Sequence, residues 1–217
     1  MLALHAWHLE RALGELNRAI ALDPGNAGAW HWRSLVLMVA GKSTEALEAI
    51  AHARRLDPES LMIRTHAALV LYFAGDLDAS MDQYERVLRV APDFPEALWD
   101  SAWVHERKGR YEDAIAILER VNAMAPSPVV LGDIGVNRAM LRETEAARAI
   151  ANALEDRFAK GTPSSAYAIA NVYAVLGDRV RMLEWLDRCQ ETRDTWFPWA
   201  LIEPRFDPYR SDAGFQA

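Results

Sequence analysis

Apolar residues recur along the chain in short blocks at helical spacing, separated by polar turns. Ala114, Ile117, Leu118 and Val121 form the i, i+3, i+4, i+7 stripe of an amphipathic helix, and Ala46, Ala49, Ile50 and Ala53 form the same stripe earlier in the chain. The blocks fall at 27–40, 61–74 and 95–108, and again at 44–56, 78–91 and 112–125. Their punctuation is periodic. Pro24, Pro58, Pro92 and Pro126 stand 34 residues apart, as do Gly41, Gly75 and Gly109, with Gly177 two further periods on. Ala12, Ala46, Ser80 and Ala114 keep the same step, and so do Ala19, Ala53, Val87 and Val121. A glycine tolerates the left-handed backbone that ends a helix, and a proline stops one and starts the next. The pattern therefore predicts a pair of helices per period, with small side chains where neighbouring helices meet.

These residues resemble the tetratricopeptide repeat. The segment 27–60 keeps Ala29-Trp30, Gly41, Ala46, Ala53 and Pro58; the segment 61–94 keeps Gly75, Tyr84 and Pro92; the segment 95–127 keeps Gly109-Arg110-Tyr111, Ala114 and Pro126. Residues 128–162 are a degenerate unit, with Gly135 and Ala147 in place but Arg142 where the glycine belongs, and residues 163–192 recover the pattern. Residues 1–26 read as an incomplete first unit with one N-terminal helix, and residues 193–217 as a C-terminal cap. The resemblance implies an all-α, right-handed superhelical solenoid of antiparallel helix pairs. The closing segment, Glu203-Pro204-Arg205-Phe206-Asp207-Pro208, further resembles the end of tetratricopeptide regions in bacterial regulators: winged-helix transcription factors, nucleotide cyclases and Ser/Thr kinases. Trp196, Phe197, Trp199 and Phe206 are expected to cover the last helix pair, since an exposed solenoid end must be closed.

Composition narrows the function. The 217 residues carry a formal net charge of −7 and no basic run, which argues against nucleic-acid binding. No apolar run approaches the ~20 residues of a membrane-spanning helix, and the start shows no secretory signal. The single cysteine, Cys189, suits a reducing compartment, so a cytoplasmic location is expected. No phosphate loop, HExxH, nucleophile elbow or CxxC is present, and no enzyme, metal or cofactor is expected. His5 and His8, with Glu10 nearby, make at most two ligands of a metal site. Cys189 and His105 read as packing residues, His105 as a buried, hydrogen-bonded substitute for an aromatic.

The stretch EALWDSAWVHERKG at 96–109 divides into two faces. Leu98, Ser101, Ala102 and His105 belong to packing against the second helix of the pair. Trp99 and Trp103, one helical turn apart, share another stripe with Glu96, Asp100, Glu106 and Arg107. In the family that stripe lines the concave groove in which peptides bind. Carried to the other units, it places Trp32, His66, Tyr72, Phe73, Trp99, Asp100, Trp103, Glu106, Asp133 and Asn171 as candidate partner-binding residues. Such an aromatic groove with an acidic spot fits an apolar or amphipathic helix bearing a basic residue. It lacks the cations that would clamp an acidic chaperone tail. The expected function is a non-catalytic scaffold or regulatory module for a protein or peptide partner. Two alternatives stand beside it: self-association through Leu2, Leu4 and Trp7 of the N-terminal helix, or sensing of a small molecule. The groove is alternatively filled by the chain's own ends.

Overall fold

The structure, a computed structural model, describes residues 9–216 and among them contains only helices and turns. The chain divides between Val104 and His105 into two compact units. Residues up to 104 form α1 (Leu9–Leu22), α2 (Ala27–Val39), α3 (Ser43–Leu56), α4 (Leu61–Phe73), α5 (Leu77–Val90) and most of α6 (Pro95–Arg107). The second unit takes the end of α6, then α7 (Tyr111–Met124), α8 (Pro128–Met140), α9 (Thr144–Ala159), α10 (Ala166–Leu176) and α11 (Arg179–Thr192). Two 3₁₀ turns, Phe197–Leu201 and Pro204–Tyr209, and a short α12 (Ala213–Gln216) follow. Each unit is built from antiparallel helix pairs, in the all-α solenoid class expected from the period.

Local chemistry explains the helix boundaries. Side chains of Asn26, Ser60, Asp76, Ser165 and Asp178 accept hydrogen bonds from the backbone N–H three residues on, satisfying one of the donors that a helix start leaves unpaired. The first helix of a pair ends in a left-handed residue, Gly109 at φ 71° for example. The degenerate unit makes the same turn without glycine: Arg142 sits at φ 66°. Its N–H donates to Ala139 C=O and that of Glu143 to Arg138 C=O, as Gly109 and Arg110 do to Glu106 and His105. The tertiary packing thus forces an arginine into a conformation that costs about 1–2 kcal/mol for a residue with a Cβ.

From α3 onward the small positions of the period are wholly buried, with Ala46, Ala53, Ser80 and Ala114 at 0% exposure, while Ala12 and Ala19 of α1 are half-buried. The Ser80 hydroxyl also donates to Ala68 C=O at 2.8 Å, so the polar substitution is satisfied. In the second unit α8 approaches α10 so closely that a Cβ on Gly132 would lie 2.7 Å from the Ala168 Cβ.

Residues after α11 do more than cover the last pair. The first 3₁₀ turn packs on α11 and the second on α10. Phe197, Phe206 and Phe215 are buried, while Trp196 and Trp199 are half-buried. Tyr209 Oη donates to Ala174 C=O at 2.8 Å, and Arg179 grips Asp212 through two hydrogen bonds of 2.5 and 2.7 Å. The segment expected as an end cap therefore folds back along a first helix.

Candidate functional site

In the first unit, α2, α4 and α6 bring the aromatic positions of the stripe together. His31 Nε2 and His66 Nδ1 are 2.6 Å apart with the rings stacked at 4.8 Å. One ring must donate and the other accept, which needs both neutral or one charged. Burial lowers the acidity range of both; for His66, burial and then the charge of His31 bring the pKa down to about 4. Trp32 lies beside His31, with ring centroids 5.4 Å apart, and is 58% exposed. Tyr72 meets Phe73 edge-on at 4.8 Å and lies 6.2 Å from Trp103, which in turn meets Trp99 edge-on at 5.7 Å.

Exposure divides these candidates. Tyr72, Asp100 and Trp103 are buried, and His66, Phe73 and Trp99 are half-buried. Trp32 alone among the aromatic side chains of the described residues is exposed. The row foreseen from the spacing exists, but most of its area is held within the protein.

In the second unit the acidic spot meets a cation of this chain. Arg205, at the start of the second 3₁₀ turn, donates from Nε and Nη2 to Glu106 Oε1 and Oε2 at 2.8 and 2.7 Å. Its Nη1 donates to Asp133 Oδ1 at 2.6 Å. Both ion pairs are almost fully removed from water. Asn137 supports them, donating 2.9 Å bonds to Glu106 Oε2 and Asp133 C=O. A third carboxylate, Glu203, lies 3.8 Å from Arg205 Nε and accepts from Tyr167 Oη at 3.3 Å. Burial of Arg205 works against its charge, but Glu106, Asp133 and Glu203 outweigh that and hold the guanidinium firmly protonated. Burial raises the pKa of Glu203, which moderates the excess of negative charge around one cation.

Glu106 and Asp133, read from the sequence as an acidic spot open to a partner's basic residue, are thus engaged by Arg205. Asn171, read as a donor to a peptide backbone, is 2% exposed and donates to Tyr167 C=O within its own helix. Sequence reasoning missed Arg205. The signal that could have found it was an arginine in the aromatic closing segment, together with two carboxylates on the inward stripe.

The remaining candidates are structural. Cys189 is wholly buried and burial pushes its thiol up, away from reactivity. His105 is half-buried, and its Nδ1 stands 3.6 Å from Asp113 Oδ2, too far for the expected hydrogen bond. His5, His8 and the apolar flank Leu2, Leu4 and Trp7 lie outside the described residues. Among the described residues no group of three or more His, Cys, Asp or Glu side chains is placed to hold a metal ion, and no helix is long and apolar enough to cross a membrane. Among the described residues no catalytic constellation is assembled.

Comparison with known proteins fits this picture. The tetratricopeptide repeat family model matches residues 2–60 and 66–127, more than half of the chain. DnaJ homolog subfamily C member 3 of Homo sapiens is 25% identical over 202 residues, 86% of this chain; the chain spans 40% of that relative's length. Its Gallus gallus counterpart is 26% identical over 204 residues with the same coverage. A tetratricopeptide repeat protein from Parabacteroides merdae shares the fold over 84% of this chain and 72% of its own, with 14% identity and a TM-score of 0.66. The type IV pilus biogenesis factor PilW does so over 85% and 86%, with 18% identity and a TM-score of 0.63. These likenesses support the repeat family broadly and do not single out the repeats borne by bacterial regulators.

Proposed function

The chain belongs to the tetratricopeptide repeat family, and on that premise we propose that it captures an apolar or amphipathic partner helix on the first-helix face of its N-terminal unit, at Trp32. The exposure of Trp32 carries this reading. A tryptophan held 58% in water beside a stacked histidine pair is a preformed anchor whose apolar area is buried only on binding. The engagement of Glu106 and Asp133 by Arg205 favours this end of the stripe over the acidic spot. The protein then serves as a scaffold or regulatory module, consistent with its class as a non-catalytic interaction protein. A reducing, cytoplasmic setting suits its buried free thiol.

The test compares wild type with Trp32→Ala in quantitative capture of partners, with circular dichroism confirming equal helicity. Loss of a central tryptophan anchor weakens binding by ~2 kcal/mol or more, roughly thirty-fold. Equal recovery by the two proteins would sink the reading.

A further inference from the structure

Two surface clefts lie away from the Trp32 stripe, one in each unit, and they carry opposite charge. In the first unit, Arg54 and Arg55 at the end of α3 and Arg64 of α4 line a cleft of about 340 Å³ beside Ala51 and Pro58. Arg55 donates to His52 Nδ1 at 3.0 Å and Arg64 to Arg86 C=O at 3.5 Å. None of the three guanidinium groups forms an ion pair among the described residues. Such a cluster is conspicuous on a chain of net charge −7.

In the second unit, five carboxylates and only two guanidinium groups line a cleft of about 860 Å³ between α9 and α11. Arg181 is spent on Glu155 at 2.5 Å and Glu184 at 2.8 Å, and Arg188 stands 3.9 Å from Glu191. Asp156 and Asp187 are exposed and enter no ion pair. The excess is three negative charges, matching the three unpaired guanidinium groups of the other cleft. Each cleft also offers apolar surface: Ala51 and Pro58 line the arginine cleft, and Phe158, edge-on to Trp185 at 5.1 Å, lines the acidic cleft.

We propose that the arginine cleft of one copy docks on the acidic cleft of a second copy. The occupant follows from charge complementarity: each molecule carries both surfaces, one of each sign, in fixed equal number. Because the two surfaces differ, the contact is heterologous and each added copy presents a further surface of each sign. Complementary charge sets the register and speeds encounter, while the apolar parts supply the area removed from water. This contact is independent of the Trp32 reading and uses none of its residues.

Sedimentation velocity on the purified chain, from micromolar to millimolar, tests it. Wild type is expected to gain mass with concentration at low salt and to return to monomer near ~1 M salt, where screening acts over ~3 Å. Arg54→Glu/Arg64→Glu and Asp156→Lys/Asp187→Lys, each with unchanged helicity, are each expected to stay monomeric alone. Their equimolar mixture is expected to regain association between unlike copies, because the intact acidic cleft of the first variant meets the intact arginine cleft of the second and the two reversed clefts also match. A monomeric wild type at all concentrations overturns the proposal, as does salt-insensitive association. Failure of the mixture to associate overturns the pairing. Saturable binding of a polyglutamate peptide by a monomeric wild type would assign the arginine cleft to an acidic partner instead.

Discussion

Arg205 gathers Glu106 and Asp133 on one guanidinium and leaves Glu203 at 3.8 Å, all four side chains removed from water. Attraction between buried charges roughly offsets the cost of desolvating them, whereas removing one partner strands the others. Arg205→Ala is therefore expected to destabilise the protein by about 3–5 kcal/mol in urea denaturation. Arg205→Met with Glu106→Gln and Asp133→Asn should lose markedly less, since only Glu203 then remains, and burial already raises its pKa toward the neutral form. The histidine pair gives a pH dependence. A folded pKa near 4 for His66 means that the unfolded chain takes up a proton first as pH falls through about 6.5. Stability from this pair is thus complete above about pH 6.5 and is lost progressively toward pH 4. Between pH 7 and about pH 5 the loss should be about 1–2 kcal/mol, and His66→Phe should reduce it, measured by denaturation at both pH values. Neither cluster could be read from spacing alone. Periodicity places His31, His66, Glu106 and Asp133 on the first-helix stripe, but which groups pair depends on ångström-scale closure between helices.

At the scale of the element the sequence was far more legible. Helix ends follow from capping side chains and left-handed turns, both local, so the step of 34 residues in the prolines and glycines translates directly into α2 to α7, and the structure adds the caps at Asn26 and Ser60. The degenerate unit tests the rule at its weakest point. Arg142 makes the turn that glycine makes elsewhere, so Arg142→Gly is expected to stabilise the fold by up to about 1 kcal/mol in thermal or chemical denaturation, the relief of strain exceeding the added freedom of the unfolded chain. Gly132→Ala should act in the opposite direction. Its Cβ would lie 3.2 Å from the Ala168 Cα, a backbone atom that can yield only by shifting α10. The expected overpacking cost of about 1–3 kcal/mol outweighs the ~1 kcal/mol gained in helix propensity. That demand was not visible in the sequence, where Gly135 draws attention as a pattern residue and Gly132 does not.

For the molecule as a whole, repetition made the architecture readable and the departures from repetition hid the rest. An end cap was foreseen, but not that its Arg205 would reach the stripe reserved for a partner. Removal of the residues from Glu203 onward is expected to expose Tyr167 and leave Glu106 and Asp133 without their cation. Hydrogen exchange across α8 and α10 should then accelerate by at least the ~100-fold that 3 kcal/mol implies. Unchanged protection would show that the helices close without the segment. The separation in sequence between Arg205 and Glu106, 99 residues, also bears on how the protein is made. A ribosome delivers Glu106 and Asp133 long before the arginine that neutralises them. Until Arg205 emerges, Glu106 and Asp133 lack the guanidinium that joins them in the finished unit, and α8 and α10 are expected to pair without settling. Emergence of residue 205 is thereby expected to act as a checkpoint: a product broken off before it should stay looser and more open to proteases than one that passes it.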